Sequence, residues 1–203
     1  MITRNICLAF GILALGAGGA LAGVEVGQPA PNFSLPDTNG QTHQLSQYNG
    51  KWVVLEWYQP DCPFVRKHYG SGNMQALQKE FTAKGVVWLS IDSSAPGQEG
   101  NYPADKLNEI AYSQGAARTA LLLDPDGKVG HAYGAKTTPD MYIINPEGKL
   151  VYEGAIDNKP NTALGDIKTA TNYVKVALDS SMSGKSVSQT VTRPYGCTVK
   201  YAQ

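Results

Sequence analysis

Cysteine is scarce in this chain, with three in 203 residues, and neither sign of charge is in excess. Its 17 basic and 17 acidic residues cancel, so no nucleic acid or anionic membrane surface is implied as a partner. There is no low-complexity segment and no repeat of solenoid period. No Gly-x-Gly-x-x-Gly follows a strand-like segment, so the FAD and NADP fingerprints are missing, no cofactor is expected, and nothing in the chain supplies electrons.

The N-terminus sets the compartment. Met1 to Asn5 carries one cation, Arg4, Ile6 to Ala22 is apolar and small, and Ala20-Leu21-Ala22 has the small-x-small form of a cleavage site. Residues 1–22 read as a secretory signal peptide, because the run is short, Gly-rich and without the charged flank of an anchor. Cys7 lies inside the apolar run, which argues against a lipoprotein site, and it leaves with the peptide. The mature chain, with 16 basic and 17 acidic residues, is expected in the periplasm or secreted, without stable membrane insertion.

Cleavage leaves Cys62 and Cys197 in an oxidising compartment. A bond between them would close a long loop, worth about 4 to 5 kcal/mol by chain entropy. That bond is either a staple fastening the C-terminal tail or a redox pair in which Cys197 releases an intermediate formed on Cys62.

The stretch Trp52-Val-Val-Leu-Glu-Trp-Tyr-Gln-Pro-Asp-Cys-Pro-Phe-Val-Arg-Lys-His68 reads as a strand running through a tight turn into a helix, with Cys62 at the turn. A thiol there sits among unpaired backbone N–H groups at the positive end of the helix dipole, which favours a nucleophilic thiolate. Pro63 suits the first helical position, and Arg66, one turn on, offers a cation, while Asp61 opposes ionisation. A small buried cysteine is the alternative reading.

The mature chain alternates short strands and helices, the pattern of an α/β fold. Val24 to Pro36 is a Pro-rich lead-in and Asp37 to Gly40 a turn; Lys51 to Tyr58 is a central strand, apolar except for Glu56. Cys62 to Lys84 is helix broken near Gly70-Ser-Gly72, Val86 to Asp92 a strand, and Ala104 to Gly115 a helix. Thr119 to Leu123 is a third strand, Lys128 to Tyr133 a short helix, and Thr137 to Gly154 a hairpin entered through Pro139. Ala163 to Leu178 is the last helix, and Ser186 to Tyr201 an extended tail. One domain over residues 23–180 and a tail over 181–203 carrying Cys197 follow.

These parts, in this order, resemble the thioredoxin superfamily, specifically its peroxiredoxin-like (AhpC/TSA, redoxin) branch. The matching pieces are Gln28-Pro-Ala-Pro-Asn-Phe-Ser-Leu-Pro36, Tyr58-Gln-Pro-Asp-Cys62-Pro-Phe-Val65 and Thr137-Thr138-Pro139, and the likeness covers about residues 24 to 180. It implies a thioredoxin-like fold, a central mixed β-sheet flanked by helices, with a cis Pro139 facing Cys62 and a backbone there able to pair with an extended substrate. Two positions depart from it. Val65 stands where thioredoxins have their second cysteine, and Gln59 where peroxiredoxins have a threonine.

The expected activity is an exported thiol oxidoreductase in which Cys62 attacks a disulfide or a peroxide and Cys197 resolves the product, reset by an external dithiol. Thr138, Pro139 and Tyr58 would flank the groove, and Arg66 or Arg193 would stabilise the thiolate. Trp57, Tyr58 and Tyr195 either line that groove or belong to the core. A non-catalytic module, its cysteines locked as a staple and its groove holding a peptide or partner protein, is the alternative. Metal binding is disfavoured: six residues separate His68 from Cys62, roughly 240° round a helix, and His43 and His131 read as solvated or capping.

Overall fold

The computed structural model describes residues 23–202, so the signal-peptide reading of residues 1–22, Cys7 included, lies outside the described residues. The chain opens with a small hairpin, β1 (Ser34–Pro36) against β2 (Thr42–Gln44). The Asp37 carboxylate closes its turn by accepting the backbone N–H groups of Asn39 and Gln41. The sequence reading has the turn but not the paired strands, which are too short to show a period. His43 is a correction: it is buried, with Nε2 3.0 Å from Asp37 and Nδ1 2.5 Å from the Tyr48 hydroxyl.

The main sheet uses β3 (Val53–Trp57), β4 (Val87–Asp92), β5 (Ala120–Leu123), β7 (Asp140–Ile144) and β8 (Leu150–Gly154), in the order β5-β4-β3-β7-β8. β3, β4 and β5 run parallel and β7 and β8 antiparallel, so the sheet is mixed. All five residues of β3 are buried, which is why they read as an apolar run broken only by Glu56. Val54 faces a core with Met74, Leu77, Phe81, Trp88 and Leu178; Val53, Leu55 and Trp57 face a second core with Leu89, Ile91, Tyr133 and Tyr142. The strand period of two thus divides one segment between both layers.

The helices are α1 (Pro63–Gly70), α2 (Asn73–Thr82), α3 (Ala104–Ser113), α4 (Lys128–Tyr133) and α5 (Tyr173–Met182). The break between α1 and α2 falls at Ser71-Gly72, with Gly72 left-handed at φ 77°. The single helix expected over residues 163–178 is corrected. Leu164–Thr169 is a 3-10 helix, and α5 starts afresh at Tyr173 because the Asn172 side chain accepts the Lys175 N–H as an N-cap.

After β5 the chain reaches β6 (Thr137–Thr138), joined to β7 by a cis Thr138–Pro139 bond. The tail then returns across the molecule as β9 (Cys197–Thr198), which pairs with β6. Among the described residues no helix is long and apolar enough to cross a membrane.

Candidate active site

Cys62 is the N-cap of α1, with extended backbone, and Pro63 fills the first helical position, where no N–H is needed. The Cys62 carbonyl accepts the Arg66 N–H at 2.9 Å, the first bond of the helix. The preceding turn is anchored to the sheet by the Tyr58 N–H to the Ile91 carbonyl and by the Trp57 indole to Ser93 Oγ. The Cys62 thiol is 1% exposed and donates to the Thr138 carbonyl at 3.0 Å. The cis-proline loop and the helix terminus therefore meet at this sulfur.

The tail brings the second sulfur. The Glu153 N–H donates to the Thr190 carbonyl and the Thr192 N–H to Glu153, while Thr192 Oγ1 accepts from the Ala155 N–H and lies 2.7 Å from the Tyr152 hydroxyl. Further on, Cys197 stands opposite Thr138 in the β6–β9 ladder. Gly196, at φ 149°, makes that approach possible, since a Cβ there would lie 2.1 Å from the Thr138 carbonyl oxygen. Cys62 and Cys197 are both free thiols. Burial, and after it the neighbouring Cys62 thiol, push the Cys197 thiol up to about 12.

Tyr195 ties the tail to the helix that carries Cys62. Its hydroxyl donates to Asp157 Oδ1 and lies 3.3 Å from His68 Nε2. Its ring meets Phe64 edge-on at 5.8 Å, with Lys67 Nζ 5.6 Å from the ring centre. Asp157 Oδ2 accepts no hydrogen bond and is faced by Lys67 Nζ and His68 Nε2 at 4.0 Å each. Burial, with help from the Lys67 charge and against that of Asp157, holds His68 down at about 4. Lys67, also lowered by burial, donates to the Lys159 carbonyl at 2.6 Å. Beside this cluster runs a cavity of about 590 Å³ lined by Thr137, Ala155, Asp157, Tyr173 and residues 192–196.

The other expected site residues fall in different places. Thr138 and Pro139 lie at the thiol, as described. Arg66 is a correction: its guanidinium points outward, 61% exposed, to Asp61 Oδ1 at 2.6 Å, with Nε on the Pro60 carbonyl. The adjacent carboxylate captures the cation on the surface. Arg193 is exposed and stands between the cavity beside Tyr195 and a second one lined with Glu25, Lys136, Asp140 and Glu153, without an ion-pair partner among the described residues. Tyr58 packs in the core containing Cys62, with its hydroxyl on Gln114 and the Arg118 guanidinium 4.4 Å over its ring.

Sequence reasoning passed over several polar groups. Asp157 and His68 carry the tail latch, and only the structure brings them to Tyr195. Glu56, fully buried, accepts from Tyr69, Gln78, Trp88 and Ser90, and a charge inside an otherwise apolar strand was its visible signal. His131 is exposed at the surface and stacks on Tyr201 at 4.0 Å. Among the described residues no group of three His, Cys, Asp or Glu side chains gathers as a metal site.

Comparison with known proteins places these parts. The AhpC/TSA family profile matches residues 26–153, a segment that holds Cys62 and Pro139 and stops short of Cys197. The thiol-disulfide oxidoreductase ResA of Bacillus subtilis (strain 168) is 32% identical over 130 residues, 63% of this chain. That match spans about two thirds of the relative, 66% of its length. The crystal structure of an uncharacterized conserved protein from Geobacillus kaustophilus is similar with a TM-score of 0.75 at 26% identity, covering 88% of this chain and 93% of that one. A putative thiol:disulfide interchange protein DsbE from Chlorobium tepidum shares the fold at a TM-score of 0.53 and 24% identity, over 64% of this chain and 84% of that one.

Proposed function

The chain belongs to the AhpC/TSA family, and on that premise we propose that it is an exported thiol-disulfide oxidoreductase with Cys62 as nucleophile and Cys197 as resolving thiol. The observation that carries this reading is the shared partner of the two sulfurs. Thr138 accepts the Cys62 thiol and stands opposite Cys197 in the ladder. The name of the Bacillus subtilis relative supports the same reaction class.

Cys62 thiolate attacks one sulfur of a substrate disulfide, forming a mixed disulfide and releasing the other sulfur as thiolate. With Cys62 held in the mixed disulfide its thiol no longer raises Cys197, which gives up its proton and attacks Cys62 Sγ, and the substrate cysteine leaves as the second thiolate. Two electrons pass from the Cys62–Cys197 dithiol to the substrate, whose sulfurs take up the two protons. An external dithiol reverses the protein's oxidation by the same exchange.

A disulfide suits this site better than a peroxide. Peroxide cleavage draws on donors held against the departing oxygen. Cys62 Sγ is faced by the Thr138 carbonyl, an acceptor, and by the Cys197 thiol. Gln59 is buried with both amide atoms unpartnered, and Arg66 is turned to Asp61. Competition between a protein disulfide and hydrogen peroxide for reduced Cys62, with excess dithiol, tests this. Faster turnover of the disulfide is expected, and peroxide-dependent turnover that outpaces it would overturn the assignment.

A further inference from the structure

The tail does more than carry Cys197. Its strand occupies the backbone edge beside Pro139, and with it in place Cys62 is 1% exposed. No disulfide of another molecule reaches that sulfur until the tail lifts. Lifting is local: the two-residue β9 and Tyr195 release between anchors that stay in place, Thr190 and Thr192 on Glu153 before them and, after them, the Val199 N–H on the Lys136 carbonyl and the Ala95 N–H on the Lys200 carbonyl. Lifting uncovers three things together. They are the free edge of β6, the Cys62 thiol, and the buried pocket where Phe64, Lys67, His68 and Asp157 hold the Tyr195 ring and hydroxyl.

We propose that the tail is a tethered stand-in for the substrate, and that the strand position it vacates receives an extended, cysteine-bearing polypeptide segment in the same register. This rests on the reading of Cys62 as nucleophile and names the substrate class. The ladder to Thr138 reads only backbone and accepts any extended chain. Selectivity comes from two side-chain positions. Asp157 and His68 are buried polar groups that lose the Tyr195 hydroxyl when the tail leaves, so a tyrosine two residues ahead of the reacting cysteine restores their hydrogen bonds. The Thr138 carbonyl, 2.1 Å from where a Cβ on Gly196 would lie, demands glycine immediately before that cysteine. The preferred segment is Tyr-Gly-Cys. When the tail returns it competes for the same ladder, delivers Cys197 to the mixed disulfide and expels the product strand.

The test uses the mature chain carrying Cys197→Ser, so that Cys62 is the reacting thiol. The probe is a peptide copying residues 192–198, Thr-Arg-Pro-Tyr-Gly-Cys-Thr, activated as its thionitrobenzoate mixed disulfide, with thionitrobenzoate release as the readout. Gly196→Ala loosens the tail, and Tyr195→Phe, lacking one hydroxyl only, is the milder variant that keeps the fold. Both are expected to speed the peptide reaction, Gly196→Ala by about tenfold or more. On the loosened variants a probe with phenylalanine in place of tyrosine is expected to react about tenfold more slowly, the factor for one lost hydrogen bond to a charged group. Equal rates for the two peptides, or no acceleration by either variant, would overturn the proposal. Dithiobis(nitrobenzoate) separates the two levels. On the loosened Gly196→Ala variant, a Cys62 that reacts with this small disulfide while showing no peptide preference refutes the strand site alone, and a Cys62 inert to it even there refutes the nucleophile.

Discussion

Cys197 stands in antiparallel register with Thr138, the residue whose carbonyl accepts the Cys62 thiol at 3.0 Å. One backbone position thus sets both sulfurs, although the two cysteines lie far apart in the sequence. The cis-proline loop is the hinge point between a helix terminus and a tail strand. Five expectations follow from that arrangement, the last of them a redox titration.

Cys197→Ser should stall the exchange after its first step. With a disulfide substrate and no added dithiol, one substrate adduct per chain accumulates on Cys62, visible by mass spectrometry of the intact protein. Cys62→Ser should show no such adduct, because the burial that raises the Cys197 thiol remains in that variant and disfavours its thiolate. Adduct on Cys197 in the Cys62→Ser protein would reverse the two roles.

Arg66→Ala should change the alkylation rate of Cys62 by no more than about twofold, because the lost contact is a solvent-exposed ion pair, worth ~0 to 1 kcal/mol. The guanidinium is 61% exposed and spends itself on Asp61 and Pro60. Iodoacetamide kinetics on the Cys197→Ser background measure this directly. A slowing of tenfold or more would restore Arg66 as the cation that activates the thiol.

Acid should weaken the tail latch through His68. Its folded value is depressed to about 4 from an ordinary 6.5, so its contribution to stability is full above about pH 6.5 and is lost as pH falls through about 4. Asp157, Lys67, Tyr195 and Asn73 are the polar groups around the ring. Asp140, pushed up to about 7 by burial, acts with opposite sign, its contribution being present at low pH and lost as pH rises through about 7. Urea unfolding of wild type and His68→Gln at pH 7 and pH 4.5 isolates the histidine. The wild type is expected to lose roughly 2 to 3 kcal/mol more than the variant, and parallel losses would contradict the burial argument.

Glu56→Gln should destabilise the fold by roughly 2 to 4 kcal/mol in urea unfolding. Four donors converge on this carboxylate, including the Trp88 indole and Ser90 hydroxyl at 2.8 Å, and an amide sets its own N–H groups against some of them. A change within experimental error would mean that the network rearranges around a neutral side chain.

What the sequence made legible was local. The apolar run Val53–Trp57, the proline after Cys62, and the glycine break before α2 each act within a few residues, and each stands where periodicity and turn chemistry predict it. The restart of α5 at Tyr173 was readable in principle, because Asn172 is a capping residue, but the helical spacing of apolar residues ran across it. The role of Arg66 was misjudged for a reason of competition: helical spacing puts it near Cys62, and the Asp61 carboxylate takes it away. The latch was out of reach of sequence, since Tyr195, Asp157 and His68 meet only after the tail has crossed the sheet. Composition gave no hint that a histidine in the last turn of α1 would be fully buried.

The most direct test of the account is a redox titration of the mature chain against a dithiol–disulfide buffer, with thiols counted at each potential. The account predicts that Cys62 and Cys197 appear and disappear together in a two-electron transition, joined in one reversible disulfide with a potential well above about −300 mV. A bond that resists reduction at that potential would make the pair a staple, and two thiols that never pair would remove Cys197 from the chemistry altogether.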